Sequence, residues 1–343
     1  MWKYKMPVEV DFGYGSRQHI TNLPELAGRR LLVATDERLA ETPMIAELIE
    51  SLSAVEVFTD IEPNPTVESV DALADRLRST KAEALVAIGG GSVLDCAKAA
   101  AVLALDSADS IRHFHSGGAA LPSTRLPLVV IPTTAGTGSE VTPFAVLDDR
   151  AQGIKAPLGG NALYPSVALI DPQLTESLPL SVTAASGLDA LSHCMEGYWS
   201  INHQPLCDLM AIEGARIVFE NLERAMLEPS DSEARSKMSY AALLGGMAFQ
   251  LPKNAMVHAC SFPLSQQAHL SHGAACAFTL EFALRLNAPA TGGRMERFAA
   301  GCGFETIDDM AAAIRHLKQV GGLPITLRDV GIKEDEVDAL IAG

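Results

Sequence analysis

Short apolar runs alternate with amphipathic stretches through the first half of the chain, over about residues 8–172. Residues 30–35, 54–58, 84–88 and 126–131 are brief, apolar and rich in branched side chains, the pattern of strands buried on both faces. Residues 36–52 and 66–80 carry helical periodicity, with Thr66 suited to cap the second helix and 69–78 amphipathic. Strands separated by helices predict a parallel sheet covered on both faces, whose ligands sit at the carboxyl ends of the strands.

Beyond about residue 178 the strand pattern stops. Helices rich in Ala, Leu and Met are expected over 183–199, 205–220, 232–249, 255–267, 274–286 and 307–320. The prediction is an α/β half over 1–178 and an all-α half over 179–343. A chain of 343 residues fits two domains better than one core. No internal repeat or low-complexity stretch interrupts either half.

Composition narrows the function classes. The chain is 48% hydrophobic and 20% charged, as in an ordinary globular enzyme, and its formal net charge is −16. With no basic cluster to meet phosphates, nucleic acid and anionic membrane surfaces are not expected partners. The start lacks the apolar core of a secretory signal, and no window has the apolar length of a spanning helix, so the expected location is the cytoplasm. The six cysteines lack CxxC spacing and read as free, mostly buried thiols.

The chemistry concentrates in a few stretches. Within residues 186–198, Asp189 and His193 stand four apart, so on a helix both face the same way, one turn apart. Alone, a histidine on an apolar helix is more often a satisfied core residue than a ligand. His258 and His272 downstream would complete a carboxylate and three imidazoles, a plausible metal site for Fe(II) or Zn(II). Glu196, a further turn on, is either a carboxylate supporting such a ligand or a structural hydrogen-bonding group.

Gly89, Gly90, Gly91 and Ser92 follow a strand and open a helix that continues through Asp95 and Lys98. Glycines there let backbone N–H groups approach a pyrophosphate, although a tight turn without a ligand uses glycines too, and neither GxGxxG nor GxxxxGK[ST] is present. A second turn, residues 132–140, carries Thr133, Thr134 and Thr137 just past another strand. Asp36, ending the first predicted strand, is placed either to accept from the ribose hydroxyls of NAD(H), disfavouring NADP(H), or to cap a helix.

Together, the Gly89-Gly90-Gly91-Ser92 turn with Asp95, the Pro132-Thr133-Thr134-Ala135-Gly136-Thr137-Gly138-Ser139-Glu140 loop, Asp189-xxx-His193 and the His258/His272 pair resemble the iron-containing (group III) alcohol dehydrogenases, in the right order over about residues 8–285. The resemblance implies a Rossmann-like cofactor domain and a helical metal domain of the dehydroquinate synthase-like fold, with the active site in the cleft between them. It carries metal ligation onto Asp189, His193, His258 and His272. It carries cofactor contacts onto Asp36, Gly90, Gly91, Ser92, Thr133, Thr134 and Thr137, with Gly89 and Asp95 of the same turn expected beside them, and a cofactor-side lysine, also a catalytic candidate, onto Lys155. The string His258-Ala259-Cys260-Ser261-Phe262-Pro263-Leu264 departs from the family's His-Ala-x-x-His-Pro-Leu: Phe262 replaces a histidine often suspected of proton relay, so the proton would travel by metal-bound water, a ribose hydroxyl or His269, a residue that reads more readily as a plain surface histidine.

The implied activity is reduction of a small aldehyde, or oxidation of a primary alcohol, with NAD(H), by a homodimer or higher homo-oligomer. Phe144 and Phe262 would line the pocket. The His-Ala-x-Ser-Phe-Pro string resembles the branch that reduces acetaldehydes bearing a phosphonate or sulfonate, for which Lys253 offers a charge. A polyol dehydrogenase of the glycerol type, or a dehydroquinate synthase-like lyase, are the rival readings.

Overall fold

The computed structural model describes residues 1–52, 56–333 and 337. In chain order the elements are β1 (Glu9–Phe12), β2 (Leu31–Ala34), α1 (Glu37–Ala40), α2 (Pro43–Ser51), β3 (Glu56–Phe58), α3 (Val67–Ser79), β4 (Ala84–Gly89), α4 (Gly91–Leu103), α5 (Arg112–His115), β5 (Leu128–Pro132), β6 (Phe144–Asp149), β7 (Ile154–Gly159) and β8 (Val167–Ile170). There follow α6 (Leu180–Trp199), α7 (Pro205–Leu227), α8 (Ser232–Phe249), α9 (Met256–Gln267), α10 (His272–Asn287), α11 (Arg294–Gly301) and α12 (Ile307–Val320). The chain divides into an α/β unit, Lys5–Thr133 with Ser139–Leu174, and a helical unit, Met1–Tyr4 with Thr134–Gly138 and Thr175–Gly343.

The α/β unit is built on a six-stranded sheet of order β1-β8-β5-β4-β2-β3, parallel throughout. Strands β2, β4, β5 and β8 are buried along their whole length, which explains why they read as continuous apolar runs. From β2 the chain goes to β3 on one side and then to β4 on the other, so the strand order reverses between β2 and β4. Ligands of such sheets bind outside the carboxyl ends of the strands at this reversal. Asp36 and the glycine turn after β4 stand there.

Several expectations change in detail. The helix expected over 36–52 is two, α1 and α2, because Pro43 has no N–H and fits only the first turn of a new helix. In the strand expected over 54–58, β3 begins at Glu56, and Ala54 and Val55 lie outside the described residues. Strands β1 and β8, the antiparallel β6–β7 hairpin and helices α5 and α11 add to the expected elements.

In the helical unit, α6 is the central element. It packs on α7, α8 and α10 and is buried over most of its length, as a helix without a polar face must be. Small residues such as Ala184, Gly187 and Ala190 let its neighbours approach closely. Among the described residues no helix is long and apolar enough to cross a membrane.

Candidate active site

Two polar side chains in the middle of this buried helix need a reason, since burying them without partners costs several kcal/mol. Asp189 and His193 are 2% and 3% exposed. His258, in the first turn of α9, and His272, opening α10, face them: His258 Nε2 is 3.6 Å and His272 Nε2 3.7 Å from Asp189 Oδ1, and His258 Nε2 is 3.1 Å from His193 Nε2. The structure thus brings together all four predicted donors.

The ring orientations are set from behind. Nδ1 of His193 donates to the Gly136 carbonyl at 3.3 Å, and its ring stacks on Phe249 with centroids 4.3 Å apart. Gly136 must be glycine, because a Cβ there would stand 2.7 Å from the Ser186 carbonyl oxygen. Nδ1 of His258 donates to Glu196 Oε2 at 2.5 Å. Both acceptors lack protons, so both Nδ1 atoms carry hydrogen and it is the Nε2 atoms of the two rings that converge on the same small volume. Glu196 also accepts from the backbone N–H groups of Val257, at 2.8 Å, and His258, at 3.4 Å. It thereby caps α9, whose own N-cap residue, Ala255, has no side chain able to do so.

Asp189 Oδ1 is fully buried with no hydrogen-bond partner. Burial alone would raise the Asp189 carboxyl, but His193, His272 and His258 outweigh it and hold the group well below its ordinary value, hence ionised. Burial lowers His193 to about 4, against the opposing pull of Asp189. An orphaned carboxylate oxygen and converging imidazole nitrogens fit a divalent cation, and the oxygen–nitrogen donor set suits Fe(II) or Zn(II).

One member of this cluster had no functional reading in the sequence. Cys276 Sγ is 3.9 Å from His272 Nε2, and ligand atoms of Asp189, His258, His272 and Cys276 all lie within 4.8 Å of one another. His272 and Cys276 have the same four-residue helical spacing as Asp189 and His193. That signal was available, but a cysteine in an Ala-rich helix reads as core.

In the α/β unit, Gly90 is the N-cap of α4 and offers no side-chain cap, so the first N–H groups of the helix stay open at its positive end. A Cβ on Gly89 would sit 2.6 Å from Val93 Cγ2, so glycine is required for the helix to turn this tightly off β4. Thr133 N donates to the Gly89 carbonyl at 3.0 Å, joining the ends of β4 and β5. Asp95 hydrogen-bonds protein groups with both oxygens: Oδ1 accepts from Ser139 Oγ and faces Lys98 Nζ at 3.0 Å, and Oδ2 accepts from Val146 N at 2.8 Å. Asp36 Oδ1 accepts from Leu39 N at 3.0 Å and caps α1.

Lys155 donates to Asn64 Oδ1 at 2.9 Å, and Asn64 N donates to Ser92 Oγ at 3.2 Å. Asn64 has a left-handed φ of 58°, which Asn tolerates better than most residues. Its place between Pro63 and Pro65 was the available sequence signal. Phe144 starts β6 and is half-buried, as is Phe262 on α9. Lys253 and His269 are exposed, with φ of 64° and 52° in the turns before and after α9, and His269 is not part of the donor cluster. Thr134 and Thr137 group with the helical unit, Thr133 with the sheet.

Comparison with known proteins fits this arrangement. Residues 7–172 match the model of the iron-containing alcohol dehydrogenases, and residues 183–342 that of the C-terminal part of the Fe-containing alcohol dehydrogenase family. The chain is 33% identical over 342 residues to long-chain-alcohol dehydrogenase 1 of Geobacillus thermodenitrificans, covering 96% of this chain and 86% of that protein. It is 35% identical over 315 residues to a 1-propanol dehydrogenase of Citrobacter freundii, covering 89% and 81%. Among solved structures, the sulfoacetaldehyde reductase of Bifidobacterium kashiwanohense in complex with NAD+ superposes with a TM-score of 0.94 at 42% identity, covering all of this chain and 92% of that one. The chain belongs to the iron-containing alcohol dehydrogenase family.

Proposed function

We propose that this protein is a metal-dependent, NAD-linked reductase of a short aldehyde with an anionic head, of the sulfoacetaldehyde type. The observation that carries the substrate class is the 42% identity, over the whole chain, to a sulfoacetaldehyde reductase. The His258-Ala259-Cys260-Ser261-Phe262-Pro263 string supports it, and exposed Lys253 offers a positive charge for the anion. Phe144 and Phe262 favour a small carbon skeleton over a polyol.

Asp189, His193, His258 and His272 would hold the cation. When bound, the cation supplies Lewis acidity toward the carbonyl oxygen, and the nicotinamide supplies the hydride. The chain does the rest. Glu196 and the Gly136 carbonyl fix the tautomers of His258 and His193 so that their Nε2 atoms face inward. Phe249 keeps one side of the His193 ring dry. The open N–H groups at Gly91 and Ser92 would hold the cofactor's pyrophosphate, with Asn64 and Lys155 alongside Ser92. Asp36 would meet the ribose with the oxygen that does not cap α1. Asp95 acts by position, tying α4 to Ser139 and β6. With phenylalanine at 262, the hydroxyl proton of the product comes from solvent or through His269.

We place the enzyme in the cytoplasm as a homo-oligomer. Its edge strand β1, with Phe12 38% and the following Tyr14 40% exposed, is a surface a second copy could cover. The test of function is NADH and NADPH oxidation with sulfoacetaldehyde, phosphonoacetaldehyde, propanal and dihydroxyacetone, in the presence of Fe(II) or Zn(II). The expected result is a kcat/KM for an anionic aldehyde about tenfold or more above that for propanal. Equal or better use of propanal removes the anionic substrate class, and preference for dihydroxyacetone moves the enzyme to the polyol dehydrogenases.

A further inference from the structure

We infer that Cys276 is a metal ligand, so that the centre of this chain carries a thiolate beside its imidazoles and carboxylate and favours Zn(II) over Fe(II). The inference rests on the metal-dependent reading above and goes beyond it in donor chemistry.

Three observations support it. Cys276 Sγ belongs to the compact donor group formed with Asp189, His258 and His272, all within 4.8 Å of one another. It reaches that group from α10, one helical turn after His272 and on the same face, so a single rigid helix delivers both donors. The group it joins contains Asp189 Oδ1, a buried oxygen without a hydrogen-bond partner. Cys260, the nearest cysteine in sequence, is half-buried on α9 and is not among these donors.

A simple hydrogen bond is the competing account, with the thiol donating to His272 Nε2 across 3.9 Å. Sulfur is a weak donor, and that account leaves Asp189 Oδ1 without a partner. Ligation engages both. The S–H bond is replaced by a sulfur–metal bond, the proton leaves to solvent, and no oxidation state changes. Three imidazoles and a carboxylate serve iron and zinc alike, whereas a soft thiolate shifts the balance toward zinc.

The test is X-ray absorption at the zinc edge on the full-length protein loaded stoichiometrically with Zn(II). A sulfur scatterer at about 2.3 Å is expected. The Cys276→Ser variant should retain zinc but lose that scatterer. Its preference for Zn(II) over Fe(II) in direct competition should fall at least as far as the ~10–100-fold that loss of a supporting group costs. The Co(II)-loaded wild type should show a sulfur-to-cobalt charge-transfer band that the variant lacks. Bound zinc with only nitrogen and oxygen neighbours in the wild type overturns the thiolate while leaving the metal site standing. A sulfur signal that persists in the variant also overturns it. Failure of the wild type to bind any of these ions overturns both readings.

Discussion

Glu196 Oε2 lies 2.5 Å from Nδ1 of His258, and the same carboxylate closes the open end of the helix that carries this histidine. One side chain therefore sets both the ring and the backbone beneath it. Glu196→Gln preserves the shape and removes the charge. Metal affinity should drop about 10–100-fold, by the usual cost of losing such a partner, with a smaller loss of thermal stability. Glu196→Ala also strips the cap and leaves buried donors unmet, and should destabilise the fold by about 2–4 kcal/mol. Metal content after dialysis and thermal melts separate the two effects.

His258→Ala removes a ring that meets both Asp189 and His193. The purified variant should hold little metal and turn over several orders of magnitude more slowly, because the Lewis-acid contribution is worth several kcal/mol. Chelation of the wild type should give the same loss of activity, reversed by Zn(II) or Fe(II). The stripped protein should also melt at a lower temperature, since a ligand that binds only the folded state stabilises it. Full activity without metal would contradict the assignment of this centre.

Lys155 and Asn64 form a pair that reaches Ser92 beside the glycine turn. Lys155→Ala should raise KM for NADH about tenfold, the effect of losing one charge-assisted hydrogen bond, with less change in KM for the aldehyde. Steady-state kinetics with each substrate varied in turn decides this. A rise confined to the aldehyde would move Lys155 away from the cofactor.

Glu140 is buried, and burial pushes its carboxyl up to about 7 from an ordinary 4.5, with Lys98 opposing. The folded state then holds this proton more tightly than the unfolded chain. Stability conferred by the protonated form is present in full below the ordinary value and is lost as pH rises toward the folded one. The loss should total about 3 kcal/mol between those limits. Denaturant unfolding of the wild type and Glu140→Gln across this range checks it: the difference between the two should change with pH in this sense and level off above the raised value.

The apolar strands β2, β4 and β5 were legible because burial on both faces leaves a run that needs no partner to be recognised. Strand β8 is equally apolar, but its four residues are too few to separate from a loop until pairing with β1 and β5 gives them a place. The β6–β7 hairpin is hidden because β6 alternates in burial but not in residue type, with Asp149 buried and Phe144 and Val146 on its outer face, while β7 is mostly exposed or half-buried. Asp189 and His193 were readable as a pair because one helix fixes their spacing. Their relation to His258 and His272 is a matter of how α6, α9 and α10 pack, to which local periodicity is blind. Cys276 and Asn64 were passed over for the same reason: an apolar helix and a proline-flanked turn are ordinary settings until tertiary contacts show what those side chains meet.

The 132–140 loop gives Thr133 and Ser139 to the sheet and the five residues between them to the helices. Since the Gly136 carbonyl that steers His193 arrives on this short excursion, the helical half expressed from residue 175 onward has its ligands without the group that orients one of them. A fragment beginning at residue 175 would carry the three ligand histidines yet leave one ring unsteered, and domain transplantation between relatives would have to move the excursion too. During synthesis the segment waits for helix α6 to emerge after it, so maturation of the metal centre is coupled to a stretch of chain translated well before any of its ligands.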